Sequence, residues 1–428
     1  MSTELNLPTL DTLNDTDRFA LSILKGSKAD MVAKAIRWST INTYSGNLDG
    51  LQKFSKILQD DLRQLNCSIE VIETDAMEKV SSDGRLIKTY TAPVIEARAN
   101  AGAPIQVVLT GHYDTVFPEG TFENITDIGD GKLNGPGLAD MKGGIVVMIE
   151  ALKAFETTDL KNNIGYHIVL TPDEETGNFA SRGRLEIAAK AAHIGLTFEP
   201  SMETGAMSGA RKGSAIFDVI LKGSAAHAGR NPEDGKSAIH AAAKFTDRLE
   251  YLNFKRDGVS FNVGSIDGGG PSNIVPALAI VRFGVRAPDE EASNWAIQQI
   301  DDLLAEVCML DGISGHIHGG FYRPPKPRNE AQETLFKATK ETGQALGLNL
   351  EFVDTGGVCE GNNVFAAGTP NIDTLGVRGG RIHSPDEFVV TDSFEERASL
   401  ALLLLLRIAD GRINAAHIKS LMKAQKNA

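Results

Sequence analysis

Apolar and polar positions along the chain predict strands that alternate with helices. Four short apolar runs, at 105–110, 164–171, 193–198 and 371–376, each lead into a polar cluster. A run with helical spacing, KGGIVVMIEALKAF at 142–155, lies between the first two of them. This alternation predicts an α/β sheet with helices on both faces. Ligands of such sheets bind beyond the carboxyl ends of the strands, which is where the four polar clusters fall.

A different order of elements is predicted between residues 212 and 322. The apolar spacing there indicates strand, helix, strand, strand, helix and strand. This βαββαβ order is the ferredoxin-like pattern, which forms a compact α+β unit of its own. The proline-rich YRPPKPRN at 322–329 is interpreted as the linker back, because proline continues neither a helix nor a central strand. We therefore predict a main domain in two parts, 1–211 and 323–428, with a second domain inserted at 212–322.

Composition restricts the class of protein. A chain of 428 residues is long for one core, which agrees with two domains. The formal net charge of -13 at pH 7 disfavours a nucleic-acid partner, which would need a concentrated basic face. The most apolar stretch, 398–409, is too short to span a bilayer and predicts a buried helix.

Cysteine usage and the N-terminal sequence bear on the compartment. Cys67, Cys308 and Cys359 form neither a disulfide framework nor a CxxC metal motif, which favours a reducing environment. The first residues contain neither the basic nor the apolar region of a secretory signal. We expect a cytoplasmic protein with no membrane partner.

The polar clusters contain residue types that bind divalent metals. GHYDTV places His112 and Asp114 two residues apart, so in an extended segment both side chains point to the same side. An aspartate so placed can accept the second ring N–H of a metal-binding histidine. Taken alone, such a pair is more often a polar strand end, because short motifs match by chance.

The other clusters supply further candidate ligands. Asp140 in GPGLADMKGG is either a ligand or the N-cap of the following helix. Two imidazoles and three carboxylates suit two divalent ions such as zinc, with one carboxylate bridging them. Such a set at four strand ends and one helix start arises by chance far less often than any single motif. The candidate metal ligands are His112, Asp140, Glu175, Glu199 and His383.

These motifs together resemble a dinuclear zinc metallopeptidase family. That family includes glutamate carboxypeptidases, aminoacylases, acetylornithine deacetylase and succinyl-diaminopimelate desuccinylase. The resemblance covers nearly the whole chain and rests on HxD, GPGLADMKGG, DEETGN, FEP and the late histidine in RIHSPDE. It implies a zinc-peptidase-type catalytic domain, a mixed sheet flanked by helices, with an inserted ferredoxin-like lid domain. It also implies a homodimer formed through the lid.

The resemblance implies two divalent metal ions per subunit, zinc foremost, with cobalt or manganese as alternatives. His112 and Glu199 would hold one ion, and Glu175 and His383 the other. Asp140 would bridge the two ions, and its peptide bond to the next residue would be cis.

Three catalytic positions follow from the same resemblance. Glu174 would be the general base and acid, moving a proton from water to the departing amine. Asp114 would orient His112. His227, in GSAAHAG, would reach the metal site of the other subunit and stabilise the oxyanion. Without the resemblance, His227 would be interpreted as a loop-capping residue.

Three further positions would contact the substrate. Asn273 and Arg286 would hold the carboxylate of the released amino acid, since a guanidinium binds a carboxylate bidentately. Without the resemblance, Arg286 would be a salt-bridged strand residue and Asn273 a turn residue. Gly380 would let the backbone approach the ligand closely.

One segment departs from the family pattern. After VDTGG the chain continues with Val358, Cys359 and Glu360, where carboxypeptidase-like members have Thr or Ser followed by Asp. This segment borders the substrate pocket in the family, which leaves the identity of the substrate open. Cys359 as a metal ligand would require a different arrangement, although all five usual ligands are present.

We expect an amidohydrolase that cleaves a peptide or N-acyl amide bond beside a free carboxylate, as a glutamate carboxypeptidase does. The alternative is an N-acyl-amino-acid deacylase that uses the same residues on a different acyl group. A catalytically silent relative that binds metal or peptide is a further class. A nucleotide-binding α/β protein is disfavoured because the chain has no glycine fingerprint or P-loop.

Overall fold

The computed structural model of this chain describes residues 9–426. Residues 1–8, part of the segment in which no secretory signal was expected, and residues 427–428 lie outside the described part. The α-helices are, in chain order, α1 (Asp15–Leu24), α2 (Lys28–Ser39), α3 (Leu48–Leu62), α4 (Gly143–Glu156), α5 (Arg182–Ala191), α6 (Ala238–Tyr251), α7 (Glu290–Cys308), α8 (Glu330–Gln344), α9 (Glu360–Ala366), α10 (Ser393–Ala409) and α11 (Ala415–Lys426).

The strands form one large sheet in each domain and several smaller ones. They are β1 (Ser68–Ile72), β2 (Met77–Val80), β3 (Leu86–Thr89), β4 (Val94–Ala99), β5 (Ile105–His112), β6 (Thr126–Gly129), β7 (Lys132–Asn134), β8 (Ile164–Thr171), β9 (Ile194–Thr197), β10 (Ser201–Met202), β11 (Met207–Arg211), β12 (Gly213–Lys222), β13 (Ser260–Gly268), β14 (Leu278–Ala287), β15 (Ser314–Arg323), β16 (Phe352–Thr355), β17 (Asn371–Ile372), β18 (Arg378–Gly380) and β19 (Phe388–Val390).

The central sheet is mixed, with the strand order β1-β4-β8-β5-β9-β17. Strands β8, β5, β9 and β17 are parallel, whereas β4 runs antiparallel to both of its neighbours. The parallel strands are nearly continuous apolar runs because helices cover the sheet. Helix α10 packs against α4, and residues 400–406 of α10 are buried, as its apolar sequence predicts.

The N-terminal region forms two helices where the sequence pattern indicates a single one. The apolar spacing at 18–35 predicts one helix, but the chain forms α1 and α2, with Gly26 between them. Gly26 has a φ of 85°, a left-handed conformation that glycine adopts without steric cost. The turn redirects the chain, so that α1 and α2 both pack against α4 and α10.

The inserted region forms a four-stranded antiparallel sheet with the order β13-β14-β12-β15. This order, with helices α6 and α7 after its first and third strands, is the ferredoxin-like arrangement. It has a core of its own, in which Phe217 stacks on Phe283 with ring centroids 5.5 Å apart, and Phe245 lies 5.9 Å from Phe283. The predicted fold class is therefore confirmed.

The two connections between the domains pair with each other. The Arg211 N–H donates to the Lys326 carbonyl (2.9 Å), and the Lys326 N–H donates to the Arg211 carbonyl (3.0 Å). The proline-rich segment 322–329 was interpreted from sequence as a linker. Its first two residues belong to β15, and its Lys326 is buried and paired with Arg211. Among the described residues, no helix is both long and apolar enough to cross a membrane.

Candidate metal centre and substrate cavity

Five chain segments bring the predicted metal ligands to the carboxyl edge of the central sheet. His112 is the last residue of β5, Glu175 follows β8, and Glu199 follows β9. Asp140 lies in the short helical turn Leu138–Lys142 before α4. His383 lies in the loop between β18 and β19 of a second sheet. Because β5, β8 and β9 are parallel, their ends meet at one edge of the sheet.

Asp140 lies between the two histidines. Its Oδ1 is 3.1 Å from His112 Nε2, and its Oδ2 is 3.2 Å from His383 Nε2. Glu175 Oε2 is 3.1 Å from His383 Nε2, whereas Glu199 Oε1 is 3.8 Å from His112 Nε2. Each oxygen of Asp140 therefore faces a different histidine–glutamate pair. The Asp140–Met141 peptide bond is cis, as the resemblance implied.

Asp114 supports both His112 and the acidic turn. His112 Nδ1 lies 3.1 Å from the Asp114 backbone oxygen and 3.4 Å from Asp114 Oδ1. The Asp114 carboxylate accepts hydrogen bonds from the Glu174 N–H (3.1 Å), the Glu175 N–H (3.2 Å) and the Ser45 hydroxyl (2.7 Å). A proton on Nδ1 leaves the lone pair on Nε2, the His112 nitrogen that faces Asp140.

Glu387 was not identified from the sequence and holds the Asp140 turn. Its buried Oε1 accepts hydrogen bonds from the Ala139 N–H (3.0 Å) and the Asp140 N–H (3.2 Å). Burial, with a contribution from Asp140, raises the pKa of Glu387 to about 8. Its position in RIHSPDE, four residues after His383, was the signal available in the sequence.

Crowding of buried acids changes their protonation. Burial and the charge of Asp140 raise the pKa of Glu175 to about 8, and burial raises the pKa of Glu199 to about 7. Hydrogen bonds with Asp140 and Glu175 raise the pKa of His383 to about 11. The cluster thus concentrates negative charge that bound cations can neutralise in place of protons.

The donor atoms fit divalent metal ions. Single ligand atoms of His112, Asp140 and Glu175 lie within 4.8 Å of one another, as do those of His112, Glu174 and Glu199. The Oε1 atom of Glu199 is buried without a hydrogen-bond partner among residues 9–426. Imidazole nitrogens with carboxylate oxygens are the ligands that zinc and similar ions prefer. These residues can therefore hold divalent cations.

Glu174 pairs with an arginine, whereas Glu175 pairs with His383. The Arg323 guanidinium donates from Nη2 to Glu174 Oε1 at 2.9 Å. The same nitrogen contacts the Glu174 carbonyl and Asn178 Oδ1, the latter at 2.9 Å. Arg323 lies in the proline-rich segment 322–329, 149 residues from Glu174, and no local sequence pattern connects the two.

A cavity of about 570 Å³ adjoins the cluster. Arg286 lines it, is half-buried and donates to the hydroxyl of Ser214. No ion pair joins Arg286 to a carboxylate in the described part of the chain, so its charge is available to a ligand. The predicted residues that line the cavity are Asp140, Glu174, Glu175, Glu199, Arg286, Gly380 and His383.

Four predicted site residues do not line this cavity: His112 and Asp114, which are buried at the sheet edge, and His227 and Asn273, which lie on the lid. His227 and Asn273 are exposed and lie next to each other, since the Ala228 N–H donates to the Asn273 carbonyl at 2.9 Å. His227 Nδ1 accepts a hydrogen bond from the Gly229 N–H at 3.1 Å. Within one subunit, therefore, both residues belong to the lid surface.

The segment that departs from the family pattern borders the cavity. Val358 and Cys359 line it, and Cys359 is the N-cap of α9, with Sγ accepting from the Gly361 N–H at 3.3 Å. Glu360 is buried, accepts a hydrogen bond from Thr171, and has a pKa raised by burial to about 8. In the described chain, Cys359 belongs to neither group of candidate ligand atoms.

Arg211 also lines the cavity. It is buried and its Nε donates to Asp373 Oδ2 at 2.7 Å. Lys326 Nζ donates to the same oxygen at 2.8 Å. Asp373 and Lys326 were not identified from the sequence, because the residues of this cluster come from three distant segments.

Comparisons with known proteins agree with this arrangement. The family model described as "Peptidase family M20/M25/M40" matches residues 108–407. Carboxypeptidase G2 of Pseudomonas sp. (strain RS-16) is 27% identical over 380 residues, which cover 87% of this chain and 88% of that protein. A succinyl-diaminopimelate desuccinylase of Pseudoalteromonas atlantica is 26% identical over 332 residues, 73% of this chain and 86% of that protein.

Solved structures share the fold. The M20 family metallo-carboxypeptidase Sso-CP2 from Sulfolobus solfataricus superposes with a TM-score of 0.69 at 15% identity, covering 89% of this chain and 99% of that chain. A tripeptidase from Staphylococcus aureus gives a TM-score of 0.68 at 22% identity, covering 90% and 99%. Since the family model matches most of the chain, the protein belongs to peptidase family M20/M25/M40 and is a hydrolase that acts on amide bonds.

Proposed function

We propose that this protein is a metallocarboxypeptidase of the glutamate carboxypeptidase type, which cleaves a peptide or N-acyl amide bond next to a free carboxylate. The observation that carries the proposal is Arg286, which lines the cavity beside the acidic cluster and forms no ion pair with a carboxylate among the described residues. A half-buried guanidinium without an acidic partner is suited to bidentate binding of a substrate carboxylate. The similarity to carboxypeptidase G2 supports the same reaction type.

The residues at the sheet edge would hold two divalent ions, with zinc as the first choice. Asp140 would bridge them, because its two oxygens face different histidines. His112 with Glu199 would hold one ion, and His383 with Glu175 the other. When bound, such ions polarise the scissile carbonyl and lower the pKa of water at the site.

Glu174 would move the proton in this reaction. Its carboxylate lies beside the ligand cluster without pairing to a histidine, and it is 5% exposed. It would accept a proton from the attacking water and deliver it to the departing nitrogen. Asp114 would keep Glu174 in place through its backbone N–H while orienting His112.

The lid would complete the site in a homodimer. His227 and Asn273 are exposed outside the cavity of their own subunit, where a second subunit could receive them. We propose that His227 stabilises the oxyanion and Asn273 contacts the substrate in the cavity of the other subunit. Gly380, which lines the cavity at the end of β18, would let the substrate approach the backbone.

N-acyl-amino-acid deacylation is the second candidate. The likeness to a succinyl-diaminopimelate desuccinylase favours it, and it would use the same metal ligands and the same Glu174. The two reactions differ in the group on the acyl side of the scissile bond, so they are distinguished by substrates and not by site residues.

The test is a substrate panel assayed with the zinc-loaded protein. Peptidyl and N-acyl substrates ending in Glu, Asp, Ala, Leu or Arg are compared with the same compounds carrying a C-terminal amide. Loss of the carboxylate is expected to lower kcat/KM at least about 100-fold, because the half-buried guanidinium of Arg286 then has no anionic partner. Glu174→Gln is expected to lower kcat by at least about 100-fold with unchanged metal content.

Each part of the proposal can be contradicted by a separate result. Equal hydrolysis of acid and amide substrates would contradict carboxylate recognition. Undiminished turnover by Glu174→Gln would contradict the role of Glu174. Preference for N-acyl over peptidyl compounds would identify the deacylase, and a metal-loaded protein that hydrolyses no substrate would be the silent relative.

A further inference from the structure

Arg323 ends the last strand of the lid, yet its side chain contacts the catalytic centre. It is the last residue of β15, the strand that ends the lid, and Pro324 and Pro325 follow it. Its side chain is 8% exposed and points into the acidic turn after β8. Burial of an arginine at a domain crossing is costly unless its charge is paired, and here the pair is with Glu174.

Three contacts from one nitrogen fix the acidic turn. Arg323 Nη2 reaches the Glu174 carboxylate, the Glu174 carbonyl and Asn178 Oδ1. Asn178 is tied back to the turn, since its N–H donates to the Asp173 carbonyl at 2.8 Å and its amide donates to Ser181 Oγ at 3.1 Å. Arg323 thus restrains the backbone and the side chain of Glu174 together.

The domain crossing holds Arg323 in register. Lys326, three residues further on, exchanges two backbone hydrogen bonds with Arg211 in the other crossing segment. The side chains of both residues converge on the buried carboxylate of Asp373. The two connections form one rigid junction, because Arg211, Lys326 and Asp373 are all buried. This junction holds Arg323 against the acidic turn.

Glu174 needs such a restraint because it lies within reach of the metal ligands. One of its oxygens lies within 4.8 Å of ligand atoms of His112 and Glu199. A free carboxylate there could rotate and become a ligand, as its neighbour Glu175 is proposed to do. The ion pair with Arg323 occupies Oε1, and the second oxygen remains for proton transfer.

We propose that Arg323 is a positioning residue that holds Glu174 in the orientation of a general base and prevents it from acting as a metal ligand. This inference rests on the proposed role of Glu174. The Arg323–Glu174 pair also links the two domains, because the guanidinium comes from the lid and the base from the catalytic domain. A lid displaced from this position withdraws the restraint from the base.

The test compares Arg323→Met and Arg323→Lys with a matched control, Arg328→Met. Arg328 lies five residues further along the same segment, and its ion pairs with Glu333 and Asp354 are half-exposed. Arg323→Met is expected to lower kcat about 100-fold and to change KM less than about threefold, since misplacing a catalytic group costs on that order. Arg328→Met is expected to stay within about twofold of wild type.

Rescue separates positioning from a general structural effect. Arg323→Lys keeps the positive charge but not the planar guanidinium. Its kcat is expected to be about tenfold higher than that of Arg323→Met. Added guanidinium ion is expected to restore Arg323→Gly in a saturable manner and to leave Glu174→Gln inactive. In the Glu174→Gln background, Arg323→Met is expected to cause no further loss, because it acts through Glu174.

A second readout needs no turnover. Hydrogen exchange of segment 172–180 in the metal-free protein is expected to be faster in Arg323→Met than in wild type or Arg328→Met. If Arg323→Met does not fold, Arg323→Lys and guanidinium rescue decide the matter. Wild-type kcat in Arg323→Lys together with no rescue of Arg323→Gly would then overturn the proposal.

The outcomes are distinguishable from a failure of the proposed function. If Glu174→Gln is inactive while Arg323→Met keeps kcat within about threefold of wild type, only the Arg323 proposal is overturned. A large rise in KM with unchanged kcat would make Arg323 a substrate contact and overturn positioning. Full turnover by Glu174→Gln alone would remove the role on which this inference rests.

Discussion

Glu174 and Glu175 follow each other in one turn, yet their carboxylates face different partners. Glu175 Oε2 lies 3.1 Å from His383, whereas Glu174 Oε1 lies 2.9 Å from Arg323. Both backbone N–H groups donate to Asp114, so the turn is fixed and the two side chains diverge from it. The chemical difference between the two residues therefore comes from their tertiary partners.

A second set of buried charges, on β4 and its neighbours, has a structural role. Glu96 is buried and pairs with Arg98 (2.6 Å), His167 (2.9 Å) and Arg184 (2.7 Å). Burial alone would raise the pKa of Glu96, but hydrogen bonds from His167, Arg184 and Arg98 outweigh it and lower the pKa to about 2. This carboxylate is thus ionised in the folded protein at lower pH than in the unfolded chain.

Replacing Glu96 is expected to destabilise the protein in a pH-dependent way. A folded pKa below the ordinary value near 4.5 means that the stabilisation is present above that value and is lost as the pH falls towards 2. With allowance for solvent screening, Glu96→Gln should lower the free energy of unfolding by about 1–2 kcal/mol at pH 7. Urea unfolding at pH 7, 5 and 3 measures this difference.

The matched control is Glu70→Gln on the adjacent strand. Glu70 is exposed and faces Glu96 in the strand register, so the same substitution removes a charge without breaking the buried cluster. Its effect is expected to be small at each pH. An effect of Glu96→Gln that is as large at pH 3 as at pH 7 would contradict the assignment.

At the scale of elements, the hairpin β2–β3 of the catalytic domain packs against the lid sheet. Val80 is 7% exposed and packs in a cluster with Ile220 and Ile280 of the lid sheet. Arg282 of β14 donates to the Val80 carbonyl at 2.9 Å. The lid therefore contacts the catalytic domain at two places, the paired connections and this hairpin.

Shortening Val80 is expected to loosen the hairpin without unfolding the protein. Val80→Ala removes apolar contacts worth about 1 kcal/mol, which corresponds to roughly a fivefold increase in the population of the open hairpin. Trypsin cleavage after the exposed Arg85 at the hairpin tip should accelerate by that factor. Val71→Ala, at a position 41% exposed on β1, is the control and should leave the rate unchanged. Equal rates for both variants would show that Val80 does not hold the hairpin.

At the scale of the whole molecule, one subunit provides an incomplete set of the proposed groups. The cavity is lined by the candidate metal ligands other than His112, and by Glu174 and Arg286. His227 and Asn273 are exposed on the lid, next to each other. A homodimer in which each lid serves the other subunit is our proposal for how the site is completed.

Mixing two inactive variants tests this proposal. His227→Ala is expected to lower kcat by about 100-fold or more, as loss of an oxyanion donor does. Co-expressed with Glu174→Gln, it should recover about a quarter of wild-type activity, because half of randomly formed dimers are mixed and each has one complete site. Sedimentation of the same sample measures the oligomeric state. A fully active monomer, or no recovery in mixed dimers, would contradict the in-trans role.

The sequence by itself determined which side chains lie at the edge of the sheet. It also determined the fold classes of the two domains, α/β for one and ferredoxin-like for the other. Strand and helix periodicity is local, so a run such as 105–110 places His112 at a strand end whatever lies elsewhere. The buried α10 was predicted for the same reason. Family membership followed from the order of the motifs, and the match over 108–407 confirms it.

The tertiary structure alone decided the partners of those side chains. Contacts between distant segments leave no periodic signal, so the Arg323–Glu174 pair and the Asp373 cluster had no local pattern to reveal them. The proline-rich segment was interpreted as a linker because proline restricts only the local backbone conformation. The burial of Lys326 depends instead on the distant segments that pack around it. Local periodicity placed the residues along the chain, and the packing of distant segments gave Glu174 and Glu175 different surroundings.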